Sequence, residues 1–311
     1  MKSKKTNIWK IRKEILFSYY TKKEIQSFIN KLYSFSMIYQ MINRDNKKCF
    51  NELNISQQTF SKLMKDKILI TGTDGFIGRN LFKNLKSRYE IFRFEKDSLE
   101  GDWKSLLKSI FDKGIIGVFH VGACSDTLEQ DTNYMMLLNY EVTRYLTDLC
   151  RESNIKLIYS SSAANYGING EYPSNLYGWS KYAGEGYVIS NNGIALRYFN
   201  VYGPGEEDKG KMASVAYQMY KRNQNGEEIK LFPNKPSRDF VYIKDVVEAN
   251  IHAFKNFYKL LLWNKVYEVG SGEARTFEDK MTIMDIPFTY HPESMIPGGY
   301  QFYTCSHSEN F

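Results

Sequence analysis

The sequence predicts an α/β fold, a doubly wound parallel sheet with a smaller C-terminal lobe. Three observations carry this. From Lys67 onward, apolar runs of strand length alternate with amphipathic stretches of helical length. The first run, Lys67–Thr71, leads directly into glycines spaced three apart, Gly72, Gly75 and Gly78. After Asn200 the alternation weakens, and Gly203-Pro204-Gly205, Pro233, Pro236, Pro287, Pro292 and Pro297 break the chain into short pieces.

Taken in order, Lys67–Thr71 reads as a buried strand and Phe76–Lys86 as the helix after it. Glu90–Glu95 is a second strand, Ile115–His120 a third, and Asp131–Glu152 a long amphipathic helix. Ile155–Ser160, Gly178–Ile189 and Ile194–Tyr198 continue as strand, helix and strand. Such alternation with short connections requires crossovers, so the strands run parallel with helices on both faces, in a Rossmann-like sheet. Phe277–Met284 is a short late helix. The pieces at 200–240 and 270–311 are expected to form the smaller lobe over the strand ends, where open α/β sheets take their ligands.

Residues 1–66 differ. They contain neither Gly nor Pro, and fourteen Lys and Arg face five Asp and Glu. That net of +9 exceeds the +7 of the whole chain, so the remainder carries −2. A nearly neutral body gives nucleic-acid binding little electrostatic support. Ile25, Phe28, Ile29 and Leu32 suit one face of a helix, and Asn54–Leu63 faintly resembles the second helix of a helix-turn-helix. A basic helical extension without a catalytic role is the simpler reading, with Met64 a natural start for the α/β domain. The four cysteines, Cys49, Cys124, Cys150 and Cys305, show neither metal-ligand spacing nor a disulfide framework. No apolar run reaches membrane-spanning length, and no metal is expected. These features favour a protein of a reducing, cytoplasmic compartment.

The glycine turn has the chemistry of a dinucleotide seat. Gly72 turns the chain, Gly75 lets pyrophosphate approach the backbone, and Gly78 lets the helix pack closely. The helix start, with Phe76 and Ile77, then offers free N–H groups and a positive dipole end to phosphate. At the end of the second strand, Glu95 suits ribose hydroxyls and implies NAD, whereas Lys96 or Arg93 suits a 2′-phosphate and implies NADP. Asp102 either reaches the adenine or caps the helix starting at Trp103.

Tyr177 and Lys181 are four apart and share a helix face. A free phenol titrates near ~10, and a neighbouring ammonium together with the oxidised nicotinamide is expected to lower that value. Tyr177 then exchanges a proton with a substrate hydroxyl, Lys181 holds the nicotinamide ribose, and Ser162 orients the reacting oxygen. The turn and the Tyr-x-x-x-Lys pair together point to redox chemistry on a carbinol with bound nicotinamide.

These residues resemble the extended short-chain dehydrogenase/reductase family. Four blocks narrow the resemblance to its branch acting on an ADP-linked heptose: Phe119-His-Val-Gly-Ala-Cys-Ser-Asp-Thr127, Arg197-Tyr-Phe-Asn-Val-Tyr-Gly-Pro204, Lys209-Gly-Lys-Met-Ala-Ser-Val-Ala216 and Arg238-Asp-Phe-Val-Tyr-Ile-Lys-Asp245. The resemblance implies epimerisation through a transient ketone, with tightly bound NADP (NAD is possible) and a nucleotide-sugar substrate. It implies Lys209 as a second proton-transfer group. It places Gly122, Ala123 and Asn139 beside the cofactor, and Asn200, Ser214, Arg238 and Tyr300 at the substrate. A homo-oligomer is expected. The alternatives are an epimerase of another nucleotide sugar and a catalytically impaired binder of one. A dehydratase needs an acid pair after Ser162, where Ala163-Ala164 stand. Without the resemblance, Lys209 reads as a solvent-facing charge, Arg238 as a partner of Asp239, and Tyr300 as a packing aromatic. His120 and Cys124 read as satisfied neighbours of the cofactor strand.

Overall fold

The computed structural model describes residues 65–168, 170–297 and 300–307. The helical extension and the helix-turn-helix hint lie outside the described residues.

Strands β1 (Lys67–Thr71), β2 (Glu90–Phe94), β3 (Gly117–His120), β4 (Lys156–Ser162) and β5 (Ile194–Tyr198) join β9 (Val266–Val269) in one sheet. Its order is β2-β1-β3-β4-β5-β9, and every pair is parallel. Helices α1 (Phe76–Leu85), α2 (Trp103–Phe111), α3 (Thr132–Met136), α4 (Val142–Glu152) and α5 (Leu176–Ser190) alternate with these strands.

Strand β1 shows why the sheet is covered on both faces. Ile68 and Ile70 join the core containing Leu81 and Leu85 of α1. Leu69, on the opposite face, joins Leu107 of α2 and Leu146 of α4. Ile68, Leu69 and Ile70 are all fully buried, each contributing roughly 1.5–3 kcal/mol. Helices α7 (Ile243–Lys255) and α8 (Phe257–Trp263) complete the first core through Val246, Phe254 and Phe257.

Most element bounds shift by a residue or two from expectation, and two departures stand out. The third strand starts at Gly117 because the positive φ of Gly114 turns the chain just before it. The long helix before β4 contains a π-helical turn, Leu137–Glu141, between α3 and α4. That turn carries Asn139, which is only 1% exposed, and such turns cluster at functional sites.

Beyond β5 lies a second sheet. Its centre is β8 (Ser237–Tyr242), parallel to β6 (Asn200–Tyr202) and β12 (Tyr303–Thr304) and antiparallel to β10 (Ala274–Thr276). Strands β7 (Lys230–Leu231) and β11 (Thr289–Tyr290) pair separately. A third apolar cluster links Leu231 and Phe240 to Phe277 and Met281 of α9 (Phe277–Ile283). Helix α6 (Val215–Gln224) precedes β7.

Candidate active site

The order of the main sheet reverses at β1, whose neighbours are β2 and β3. Ligand clefts of open α/β sheets open at such a point, and there the glycine turn follows β1. Gly72 has φ +69°, and a Cβ on it would sit 2.5 Å from the Cα of Gly122, in the loop after β3. A Cβ on Gly78 would sit 2.1 Å from the carbonyl oxygen of Gly72. Gly75 differs, because a Cβ there would meet nothing closer than 3.4 Å. The protein's own packing does not demand glycine at 75, which leaves the backbone open to an incoming group. Gly75 caps α1 without a side chain, and the first turn holds no acid. The N–H groups of Phe76, Ile77 and Gly78 thus have no partner from the helix and lie at its positive end. This cradle fits a pyrophosphate.

The residues after β2 fix the turn. Glu95 Oε1 accepts from the N–H and hydroxyl of Thr73 at 3.0 and 2.5 Å, and Arg93 bonds Thr73 Oγ1 and Asp74. Glu95, expected at the ribose, therefore already has both oxygens engaged in shaping the loop, Oε2 accepting from the N–H of Asp74 at 3.3 Å. Lys96 Nζ lies 4.9 Å from the ring centre of Tyr134. Asp102 caps α2, accepting from the N–H of Ser105 at 3.1 Å.

Helix α5 starts at Asn175, whose side chain accepts from the N–H of Gly178 at 2.8 Å. Tyr177 and Lys181 follow on it, and Ser162 ends β4. The Ser162 hydroxyl lies beside the Tyr177 phenol and pulls its pKa down, but desolvation outweighs it and the value rises. The Lys181 ammonium is not among the groups that lower it in the protein alone. Lys181 is itself 2% exposed, and burial brings its pKa from 10.5 to about 7 against the upward pull of Glu185. Its Nζ sits 4.3 Å from the ring centre of Tyr159.

Glu185, missed in the sequence, organises this corner. Its carboxylate accepts from Ser161 Oγ at 2.6 Å, Asn165 Nδ2 at 3.0 Å and Arg197 Nε at 2.8 Å. The detectable signal was a carboxylate four residues after Lys181 on the same helix. His120 bridges Thr71 and Thr143 at 2.8 Å each, and burial lowers its pKa to about 3, so the ring is neutral. Asn139, expected to line the cofactor, is buried behind the loop after β3. It accepts from the Cys124 N–H at 2.7 Å and donates to the Cys124 carbonyl and Ser180 Oγ, which braces the 122–124 loop containing Ala123.

Lys209 is half-buried, with Nζ 5.6 Å from the ring centre of Phe76 at the start of α1. Burial lowers its pKa while Glu206 raises it. Lys209 is thus partly withdrawn from solvent. The Lys209 block meets the 119–127 block, through Lys211 to Asp126 at 3.6 Å and Thr127 Oγ1 to Met212 Sδ at 3.8 Å. Ser214 caps α6, accepting from the Tyr217 N–H at 3.2 Å.

Asn200, Arg238 and Tyr300 converge on the second sheet. Asn200 Nδ2 donates to the Asp239 carbonyl at 3.3 Å. Arg238 donates to the Gln301 carbonyl at 2.5 Å and lies 5.6 and 5.7 Å from the ring centres of Phe277 and Tyr300. Its pKa falls through desolvation. No Arg238–Asp239 ion pair forms, because Asp239 is fully buried and its carboxylate accepts from Ser271, Gly272 and Ser306 instead. Tyr300 packs edge-on to Phe232 and Phe302.

Residues 68–270 match the NAD dependent epimerase/dehydratase family. The chain is 34% identical over 285 residues to an ADP-L-glycero-D-manno-heptose-6-epimerase of Brachyspira hyodysenteriae, covering 76% of this chain and 88% of that relative. A protein of the same description from Cupriavidus pinatubonensis is 36% identical over 252 residues, covering 68% and 75%. The crystal structure of ADP-L-glycero-D-manno-heptose-6-epimerase from Helicobacter pylori superposes with a TM-score of 0.64 at 31% identity, covering 73% of this chain and 85% of that one. No described helix is long and apolar enough to cross a membrane. With a family model matching residues 68–270 and a parallel α/β sheet like that of these relatives, the chain belongs to the NAD dependent epimerase/dehydratase family.

Proposed function

We propose that the protein epimerises an ADP-linked glycero-manno-heptose at a side-chain carbinol, with a nicotinamide dinucleotide held on the 72–78 turn. The observation that carries this reading is that two candidate proton-transfer groups, from different parts of the chain, are both drawn out of solvent. Tyr177 comes from α5 beside Ser162, and Lys209 comes from a loop lying over the start of α1.

The bound nicotinamide supplies hydride exchange at the carbinol carbon. Tyr177 takes and returns the proton of the carbinol oxygen, and the Ser162 hydroxyl orients that oxygen. Lys181 holds the nicotinamide ribose. Lys209, partly desolvated, is suited to move a proton for the other configuration. Arg238 offers paired donors to the diphosphate, with Asn200, Ser214 and Tyr300 around the sugar nucleotide in the lobe formed by 200–240 and 270–311. NADP is favoured over NAD because Thr73 already engages Glu95 while Arg93 and Lys96 stand nearby. A homo-oligomer belongs to the same reading, supported by the exposed aromatic group of Tyr172, Trp179 and Tyr182. The free cysteines suit the cytoplasm.

The test incubates purified protein with either epimer of the ADP-linked heptose and follows the epimer ratio by NMR. Both starting materials are expected to converge on one ratio. Bound cofactor without interconversion would leave a nucleotide-sugar binder, and turnover of only a different nucleotide sugar would reassign the substrate.

A further inference from the structure

We infer that Arg79 and Asp208 are positioning residues whose ion pair hangs the 203–214 loop on α1 and sets where Lys209 sits. The inference rests on the proton-transfer role proposed for Lys209. Asp208 Oδ2 lies 2.6 Å from Arg79 Nη1. The same guanidinium donates to the Asp74 carbonyl in the glycine turn at 3.2 Å, and its Nε is buried without a hydrogen-bond partner. One residue further along α1, Asn80 Nδ2 donates to the Pro204 carbonyl at 3.2 Å. Phe76, Arg79 and Asn80 are spaced i, i+3 and i+4, so one face of α1 receives the whole loop. The helix whose start seats the dinucleotide thereby also carries the lysine.

The loop needs such anchors. Gly205 and Gly210 both adopt positive φ, 98° and 53°, on either side of Lys209. Glu206 closes the loop on itself, accepting from the N–H of Gly203 at 3.0 Å and of Ser214 at 2.8 Å. That closure fixes its shape but not its place. Place comes from Arg79–Asp208 on one side and from Lys211–Asp126 on the other, 3.6 Å apart. Lys209 lies between these attachments, on a flexible four-carbon stem with little orientation of its own. Asp208 is largely exposed (61%), so the pair contributes little to global stability and acts through geometry.

The test measures kcat, KM, cofactor content and Tm for epimerisation of the ADP-linked heptose by the cofactor-loaded enzyme. The variants are Asp208→Asn, Asp208→Glu, Arg79→Gln, the Asn/Gln double substitution and Lys209→Met. Asp208→Asn is expected to lower kcat about tenfold, the scale for a reacting group displaced by less than an ångström. KM, cofactor content and Tm should stay at wild-type values. Asp208→Glu should restore most of the rate, and the double variant should be no slower than the slower single one, as for residues acting as a unit. Wild-type turnover in Asp208→Asn, additive losses, or a loss seen in KM or cofactor content would overturn the positioning role. If Lys209→Met is slow while Asp208→Asn is not, the ion pair alone fails. If Lys209→Met turns over normally, the assignment of Lys209 fails and this inference fails with it.

Discussion

Replacing Lys181 by methionine should stabilise the cofactor-free protein while abolishing its turnover. Lys181 is 2% exposed, and its pKa falls from 10.5 to about 7 on folding, chiefly through burial. At about 1.4 kcal/mol per unit, housing this lysine costs on the order of 4–5 kcal/mol wherever the unfolded chain would be charged and pH lies below about 7. Between roughly pH 7 and 10.5 the unfolded chain binds more protons than the folded one, so this cost fades as pH rises and wild-type stability climbs. Methionine keeps the length of the stem. Glu185 is not orphaned by the change, since Arg197, Ser161 and Asn165 still bond it. Allowing for relaxation around the site, a gain of about 2–4 kcal/mol near neutral pH corresponds to a Tm rise on the order of 5–10 °C. Chemical denaturation of both proteins near neutral pH and again about two units higher measures the effect. A variant equal to or weaker than wild type at neutral pH, or an advantage that fails to shrink at the higher pH, would refute the reasoning.

Tyr177→Phe should lose at least ~100-fold in epimerisation rate while retaining cofactor, the scale for removing a proton-transfer group; steady-state kinetics with cofactor absorbance decides this. Lys209→Met should impair inversion at the sugar carbon, read as a slowed approach to the final epimer ratio by NMR. Gly78→Ala should give protein without bound dinucleotide, because the added carbon would fall 2.1 Å from the Gly72 carbonyl and force the turn open; the cofactor released on denaturation reports it. Burial alone would raise the Asp239 carboxyl, yet hydrogen bonds from Ser306 and Ser271 hold it below its ordinary value. Its contribution is therefore present above the ordinary carboxylate range and lost as pH falls, and Asp239→Asn should cost about 3 kcal/mol near neutrality, measured by urea titration.

Local signals made much of this protein legible before any coordinates. The short apolar run within Lys67–Thr71, the three glycines after it and the helix-turn spacing of Tyr177 and Lys181 are each written within a dozen residues, so the sequence alone determined the sheet, the turn and the face of α5. Residues far apart in the chain decided the rest. That Asn139 braces Cys124 shows only once the two are brought together. Glu185 is an ordinary helical acid until Arg197 and Ser161 arrive, and Arg238 is an ion-pair partner until Asp239 turns to Ser271 and Ser306. The pKa of Tyr177 rises in the protein alone because desolvation is a property of everything packed around a group. Spacing along a helix reports which side chains are neighbours, whereas burial, and with it the charge each group can carry, is fixed only when the sheets, helices and loops close on one another.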